Sequence, residues 1–436
     1  MRIFEAHPSR AIGGSIAVPG DKSISHRALM FAGIADGRSE VQGFLASEDC
    51  LASMRAMQML GVSIERVEPT RVIVEGVGMR GLRRAPEVLD MGNAGTAIRL
   101  FTGLLSAQSF DSTLVGDESL MKRPMERVAK PLREMGADVR TRGGTPPVEI
   151  TGGHALRGID YQLPVASAQV KSAILIAGLY AEGPTQVNSP AVSRDHSERM
   201  LRSFGVRVDV DGLSARLHPP TMLHGQRLQV PGDFSSAAFF IVAGLIGAGA
   251  QGLLIENVGL NPSRTGLLDI LRRMGAEIDI LRPRQSGSEP VADLRVHRSD
   301  LVGVTVPREL VPLAIDEFPV LFVAAACARG ETWVTGAEEL RVKESDRIAA
   351  MAAGFATLGV KHEVLPDGMR LFGIGGEPFG GGEIDSFGDH RIAMSFAVAS
   401  LRARAPIRIR DVANVATSFP GFGELARTIG IDVREI

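Results

Sequence analysis

Six times in 436 residues the chain repeats one local pattern. An amphipathic stretch ends in a bulky apolar residue, then Gly, then a small or branched apolar residue and alternation. It reads MLGVSI around Gly61, EMGADV around Gly136, SFGVRV around Gly205, RMGAEI around Gly275, TLGVKH around Gly359 and TIGIDV around Gly430. Successive glycines are 75, 69, 70, 84 and 71 residues apart. A glycine in this setting suits a helix C′ position, where a left-handed residue ends the helix. The alternation after it suits a strand. One such copy is common in any α/β protein, but six at near-constant spacing form an internal repeat.

A second pattern lies upstream of each glycine: a polar or glycine-rich turn, then a helix-length apolar stretch. The six turns are PGDKSISHR, MGNAGTAIR, PVASAQVKS, VPGDFSSAA, LAIDEFPV and FGDHRIAMS. The unit therefore reads strand, turn, buried helix, amphipathic helix, Gly, strands. AILIAGLY from Ala173 and FPVLFVAAACA from Phe318 are apolar nearly all round, as expected of helices with no solvent face. At 436 residues the chain is too long for one ordinary core, so six units predict two domains of three. The start of a buried helix carries free N–H groups and the positive end of its dipole. Parallel helices would give each domain a face of anion-seeking ends. Two such faces opposed across a cleft would hold a multiply anionic ligand.

Composition narrows the function. Net charge is −2, so no global field draws the chain to nucleic acid or a membrane surface, and a cationic site must be a local concentration. The longest apolar run, AAFFIVAGLIGAGA from Ala237, is too short to span a bilayer. The opening MRIFEAHPSR has neither an apolar h-region nor a transit-peptide composition. Cys50 and Cys327 make no disulfide framework and no metal cluster of the usual spacing, and Cys327 in LFVAAACA reads as a small core residue. The expectation is a soluble protein of the reducing cytoplasm with no metal.

The chemistry-bearing residues sit mainly at the polar turns. In DKSISHR, Lys22 and His26 are four apart, as are Ser23 and Arg27, so each pair shares a helix face. Lys supplies a point charge and Arg a planar fork for carboxylate or phosphate. MGNAGTAIR sets Gly92 and Gly95 around Asn93 and Thr96, with Arg99 one turn on. Small residues there let a ligand approach backbone N–H groups, unless Asn93 is only an N-cap. Lys122 and Arg123 precede Pro124, a good first helical residue. Ser167 and Gln169 open another helix, which Ser167 could cap. Asp195 and Glu198 have capping-box spacing, with Arg194 beside them to face a ligand. Asp316 precedes a wholly apolar helix as either a cap or a general base. Lys343, Glu344 and Arg347 fit either a site or an ion-pair ladder on a surface helix. Asp389, His390 and Arg391 stand at the mouth of the sixth buried helix. Singly, most of these have a purely structural reading. Together they fall at equivalent ends of the repeats, which scattered surface charges would not do.

Eight segments, in order, resemble the 5-enolpyruvylshikimate-3-phosphate synthase family: PGDKSISHRALM, GNAGTAIRL, KRPM, SAQVKSA, VPGDFSSAA, IDEFPVL, RVKESDR and DHRIAMS. The resemblance runs from about Gly14 to Phe422, and the SAQ and RDH forms are similar to the second bacterial class. It implies an α/β (α+β) fold, a two-domain inside-out barrel. Each domain would hold three βαβαββ repeats with buried parallel helices, and the two would close like a clam shell. It implies a lower domain of residues 1–20 plus 232–436, an upper domain of 21–231, and hinges near 19–21 and 230–233. The implied reaction moves the enolpyruvyl group of phosphoenolpyruvate to the 5-hydroxyl of shikimate 3-phosphate, with no metal or organic cofactor. The enzyme would be a cytoplasmic monomer.

The same resemblance implies Lys22, Gly95, Arg123, Gln169, Arg347 and Arg391 for phosphoenolpyruvate. It implies Lys22, Ser23, Arg27, Ser167, Gln169, Arg194, Asp316 and Lys343 for shikimate 3-phosphate. Asp316, Glu344 and Lys22 would be catalytic: Asp316 at the attacking hydroxyl, Glu344 protonating the vinyl methylene, Lys22 at the intermediate and leaving phosphate. Gly95 implies glyphosate sensitivity. Two positions depart from the pattern of many relatives. Ala168 stands where a second Ser is usual, and Thr417 stands where a Lys precedes the phenylalanine-proline pair. A sister enzyme, UDP-N-acetylglucosamine enolpyruvyl transferase, shares the fold and phosphoenolpyruvate. It usually has a Cys in the loop before its Arg, and GDESLMKRP has none.

Overall fold

The computed structural model describes residues 2–9, 11–220 and 222–436. It divides into two compact units: Met1–Pro19 with Pro231–Gln285 and Glu289–Ile436, and Gly20–Val230 with Ser286–Ser288. Each has its own hydrophobic core.

The unit built on Gly20–Val230 holds three four-stranded sheets of one design. A short edge strand runs parallel to its neighbour, and two antiparallel pairings follow. Asp160–Gln162 lies parallel to Thr185–Asn188, which pairs antiparallel with Ser214–Leu217, and that with Val208–Asp211. Leu89–Asp90, Ser112–Val115, Thr145–Thr151 and Asp138–Arg142 repeat the order. In the first repeat the parallel edge strand is Arg227–Gln229, from the far end of the unit, so the last segment closes onto the first. Inside lie the helices Lys22–Gly33, Gly95–Leu105 and Ala168–Gly178, buried from the second or third residue onward except Thr96.

The other unit carries the helices Phe234–Gly247, Phe318–Cys327 and His390–Ala399 in the same place. Its fourth and sixth repeats borrow strands from the start of the chain. Ile12–Ala17 pairs parallel with Ala248–Gly259. Ile3–Ala6 inserts antiparallel between Ile407–Arg410 and Val433–Glu435. The fifth sheet has three strands, and single parallel bridges at Val302 and Thr305 stand in for its fourth. Helices inside and sheets outside give the expected inside-out arrangement of βαβαββ repeats.

The repeat glycines explain themselves. Gly61, Gly136, Gly205, Gly275, Gly359 and Gly430 have φ of 95, 105, 88, 90, 75 and 100°. That region strains any residue with a Cβ, so the helix ends and strand starts are fixed by sequence. Two other glycines set close helix contacts. A Cβ on Gly103 would lie 2.3 Å from the Ala173 carbonyl oxygen, so Gly95–Leu105 packs directly on Ala168–Gly178. A Cβ on Gly354 would lie 2.1 Å from the Phe396 ring, so Arg347–Leu358 lies close against His390–Ala399.

Three local expectations are corrected. Asp195 does not cap helix His196–Ser203 with its side chain; Asp195 Oδ2 accepts from Arg199 Nε at 2.8 Å, and Glu198 pairs elsewhere. Pro124 is not the first helical residue, because that helix runs Glu126–Glu134 with Met125 at its N-cap. Cys327 is only partly buried, at the end of its helix.

Candidate active site

In each unit three helix N-termini lie together, as their side-chain contacts require. In the Gly20–Val230 unit, Gln169 at the start of Ala168–Gly178 donates to Thr96 Oγ1 at the start of Gly95–Leu105, 2.9 Å away. One turn into Lys22–Gly33, Arg27 donates to Ser172 Oγ one turn into Ala168–Gly178, at 2.8 Å. Three dipole ends therefore favour anions at one end of this unit.

That end is strongly cationic. Lys22 Nζ lies 2.9 Å from Oδ2 of Asp49, a buried carboxylate in the first turn of Glu48–Met59. Arg27 is buried, and its contacts include Nε to Ser197 Oγ at 2.7 Å, Nη2 to Ser172 Oγ, and Nη1 to the Ser23 carbonyl at 2.8 Å. His26 adds no charge. Burial first, then the neighbouring Lys22 and Arg27, push its imidazole down to about 3, and its Nδ1 pairs with Ser53 Oγ at 2.7 Å. Arg99 Nη1 reaches Gln169 Oε1 at 2.5 Å and the Gly95 carbonyl at 3.1 Å. Arg123 Nη2 donates to Asn93 Oδ1 at 3.2 Å. Asn93 is thus a side-chain partner of Arg123 and Asp117, and Ala94 holds the N-cap. A Cβ on Gly95 would lie 2.6 Å from Arg123 Nη1 and 3.3 Å from Arg99 Nη1, so Gly95 is the floor beneath two guanidinium groups. Ser167 caps its helix at the Val170 N–H, 3.4 Å away. Arg194 lies in the turn ahead of His196–Ser203. Lys122, by contrast, is exposed and pairs with Glu118 on the surface.

The second unit gathers Asp316, Lys343, Glu344, Arg347 and Arg391 around one guanidinium. Arg347, 1% exposed, is the first residue of helix Arg347–Leu358. Its Nε donates to Asp389 Oδ2 at 2.8 Å, its Nη2 to Glu344 Oε2 at 2.6 Å, and its Nη1 to Asp316 Oδ1 at 3.5 Å. Burial alone would weaken its hold on the proton, but Asp389, Glu344 and Asp316 together raise its pKa further. Asp389 is wholly buried, which would raise its carboxyl; Arg347 outweighs this and holds it below the usual carboxylate range. Lys343 Nζ stands 3.5 Å from Asp316 Oδ1; burial, helped by Arg347 and opposed by Asp316, lowers its pKa. Arg391 Nη1 donates to the Asp316 carbonyl at 2.8 Å and lies 3.7 Å from Glu317 Oε1. Lys343 and Glu344 precede the helix rather than ride on it, so the surface ladder does not form. Asp316 is not a cap either: Glu317 holds that position.

Several partners were invisible as site residues in the sequence: Asp49, Asp389 as a counter-ion, Glu317 and Arg264. The last serves the VPGDFSSAA turn, which has no cation of its own. Arg264, from the loop after Ala248–Gly259, is buried at the mouth of Phe234–Gly247, with Nη2 3.2 Å from Asp233 Oδ1 and 2.5 Å from Ser235 Oγ. Ser235 Oγ in turn donates to Glu317 Oε1. A cation thus occupies the equivalent place, supplied from 31 residues away. Among the described residues no group of acidic, His and Cys side chains is arranged to hold a metal ion.

The family model for EPSP synthase (3-phosphoshikimate 1-carboxyvinyltransferase) matches residues 6–425. A protein of that name from Methylococcus capsulatus is 56% identical over 432 residues, covering 99% of this chain and 98% of its own. Its counterpart from Legionella pneumophila is 53% identical over 435 residues, with full coverage of both chains. Among solved structures, EPSP synthase from Acinetobacter baumannii superposes with a TM-score of 0.89 at 51% identity over the whole of both chains. The enolpyruvyl transferase NikO from Streptomyces tendae shares the fold, with a TM-score of 0.81 at 17% identity over 100% of this chain and 99% of its own.

Proposed function

The chain belongs to the EPSP synthase family, and on that premise we propose how its two constellations divide one reaction. The reaction is the family's: the enolpyruvyl group of phosphoenolpyruvate passes to the 5-hydroxyl of shikimate 3-phosphate, and phosphate leaves. It belongs to the shikimate pathway to chorismate and the aromatic amino acids. The sugar-nucleotide alternative is set aside by the full-length relatives.

The cationic set binds. Lys22, Arg123 and Gln169 hold phosphoenolpyruvate over Gly95, while Ser23, Arg27, Ser167 and Arg194 hold shikimate 3-phosphate, with Lys22 and Gln169 serving both. The set around Arg347 carries the proton chemistry, with Arg347 and Arg391 binding phosphoenolpyruvate and Lys343 the phosphoshikimate. As the 5-oxygen attacks C2 of phosphoenolpyruvate, its proton passes to Asp316, and Glu344 gives a proton to C3. The tetrahedral adduct then expels phosphate from C2, assisted by Lys22, as C3 returns a proton. Preorganised cations of this kind stabilise charge that develops during reaction.

The observation that carries this reading is the shared guanidinium of Arg347, which touches both candidate proton-transfer carboxylates, Asp316 and Glu344. An anion drawn to Arg347 would loosen both at once. We place the enzyme in the cytoplasm, where its two free thiols, Cys50 and Cys327, would stay reduced. No helix among the described residues is long and apolar enough to cross a membrane. The test is phosphate release on mixing the protein with phosphoenolpyruvate and shikimate 3-phosphate, beside an Asp316→Ala control. No release by the wild type, or equal release by the control, defeats the assignment.

A further inference from the structure

Helix His196–Ser203 has a first turn made of buried polar residues, His196, Ser197 and Glu198. Two of them are stitched to other helices. Ser197 Oγ accepts from Arg27 Nε at 2.7 Å and donates to Ser172 Oγ at 2.8 Å, and Ser172 Oγ accepts from Arg27 Nη2 as well. Beside this triangle Glu198 Oε1 lies 2.6 Å from Lys171 Nζ, the two side chains 3% and 7% exposed. The same ammonium reaches the Ser193 carbonyl at 3.4 Å. Four elements meet here: Lys22–Gly33 through Arg27, Ala168–Gly178 through Lys171 and Ser172, His196–Ser203 through Ser197 and Glu198, and the segment before His196 through Ser193.

We propose that Lys171 and Glu198 are positioning residues for shikimate 3-phosphate, fixing the turn that bears Arg194 against the helix start that bears Ser167 and Gln169. The inference rests on the ligand assignment above and deepens it. Lys171 lies two residues beyond Gln169, and its contact at Ser193 is one residue from Arg194. It can therefore set the spacing between those groups without touching substrate. A buried ion pair has no advantage over apolar side chains in holding helices together, because desolvation offsets its attraction. What it adds is direction: an ammonium held by a carboxylate and a carbonyl fixes a backbone position that apolar contact leaves loose.

The apolar exchange is therefore the test. In the full chain, Lys171→Met combined with Glu198→Leu removes the pair and the Ser193 contact while leaving no buried charge unpaired. Thermal unfolding should be unchanged or higher. KM for shikimate 3-phosphate should rise about 10-fold, while kcat and KM for phosphoenolpyruvate stay within about 3-fold, the split expected of lost ground-state positioning. Calorimetric titration of shikimate 3-phosphate without phosphoenolpyruvate should show the same weakening. A folded double variant with unchanged shikimate 3-phosphate affinity overturns the proposal, as does a loss confined to kcat. Should the double variant not fold, Glu198→Gln keeps the shape and removes the charge. It should weaken shikimate 3-phosphate about 3-fold with phosphoenolpyruvate unaffected, and no weakening is again a refutation. A wild type that binds shikimate 3-phosphate but releases no phosphate sinks the reaction assignment and leaves this titration standing.

Discussion

Asp389→Asn isolates what the buried counter-ion of Arg347 contributes. Asn keeps the size of Asp389 and is itself a good N-cap, so the bond to the Arg391 N–H at 2.9 Å can persist. What goes is the negative charge facing Arg347 Nε at 2.8 Å and Nη2 at 3.5 Å. A hydrogen bond to a charged group contributes about 1.5–3 kcal/mol. The full cost of about 3–5 kcal/mol for an orphaned buried ion does not apply, because Glu344 and Asp316 still face the guanidinium. We expect a loss of about 2 kcal/mol, or a fall in melting temperature of roughly 4–8 °C for a unit of this size. The pH dependence fixes the cause. Asp389 titrates below its ordinary value in the folded state, so its stabilisation is present above the unfolded pKa and is lost as pH falls through the folded one. The deficit of the variant should be constant from about pH 8 to pH 5 and shrink below about pH 4. Differential scanning calorimetry across that range measures it. A deficit that persists unchanged in acid would mean that shape rather than charge was lost, and no deficit at neutral pH would refute the reasoning outright.

Gly95→Ala should push the Arg123 guanidinium aside, because the new methyl would lie 2.6 Å from Nη1. Steady-state rates should show KM for phosphoenolpyruvate raised about 10-fold with kcat less affected, together with weaker inhibition by glyphosate; unchanged inhibition argues against this placement. Binding of substrates should also take up a proton at neutral pH, since an anion on Arg347 frees Glu344 from its 2.6 Å contact and adds negative charge beside it. Calorimetry in buffers of different ionisation enthalpy reads that uptake, and equal uptake by Glu344→Gln would rule the residue out.

The repeat was legible because backbone sterics mark it. A left-handed residue between helix and strand demands glycine, and the sequence supplies it six times. The polar turns were legible for a related reason, since a buried helix start must satisfy its N–H groups with whatever stands there. The pairings were not. Arg347 meets Asp389 across 42 residues and Arg27 meets Ser197 across 170, distances over which no periodicity speaks. Spacing alone left Arg347 open to a surface-ladder reading, because its distance in sequence from Lys343 is helical. The helix actually begins at Arg347, with Asp346 as its cap, and turns that side chain inward. Asp195 and Glu198 fit a capping box by spacing alone. A lysine at position 171, in a helix buried from Val170 onward, was the signal that a buried counter-ion such as Glu198 would be needed. Arg264 carried a similar signal: a cation in a loop after a strand, in a repeat whose own helix mouth, VPGDFSSAA, has none.

The carboxylates around Arg347 differ in exposure, and the difference matches their proposed roles. Around Arg347 three cations face Asp316, Glu317, Glu344 and Asp389, so that set is already neutralised. Its carboxylates are not equivalent. The Asp389 side chain is wholly buried and bonded also to Ser345 Oγ at 3.1 Å, whereas that of Glu344 is 19% exposed. Water can solvate the second carboxylate and cannot reach the first. An anion that competes for Arg347 therefore displaces Glu344 and leaves Asp389 in place. The guanidinium keeps its orientation through Nε while one Nη group changes partner. A binding residue and a proton donor can share one arginine in this way, provided that a second, inaccessible carboxylate anchors it.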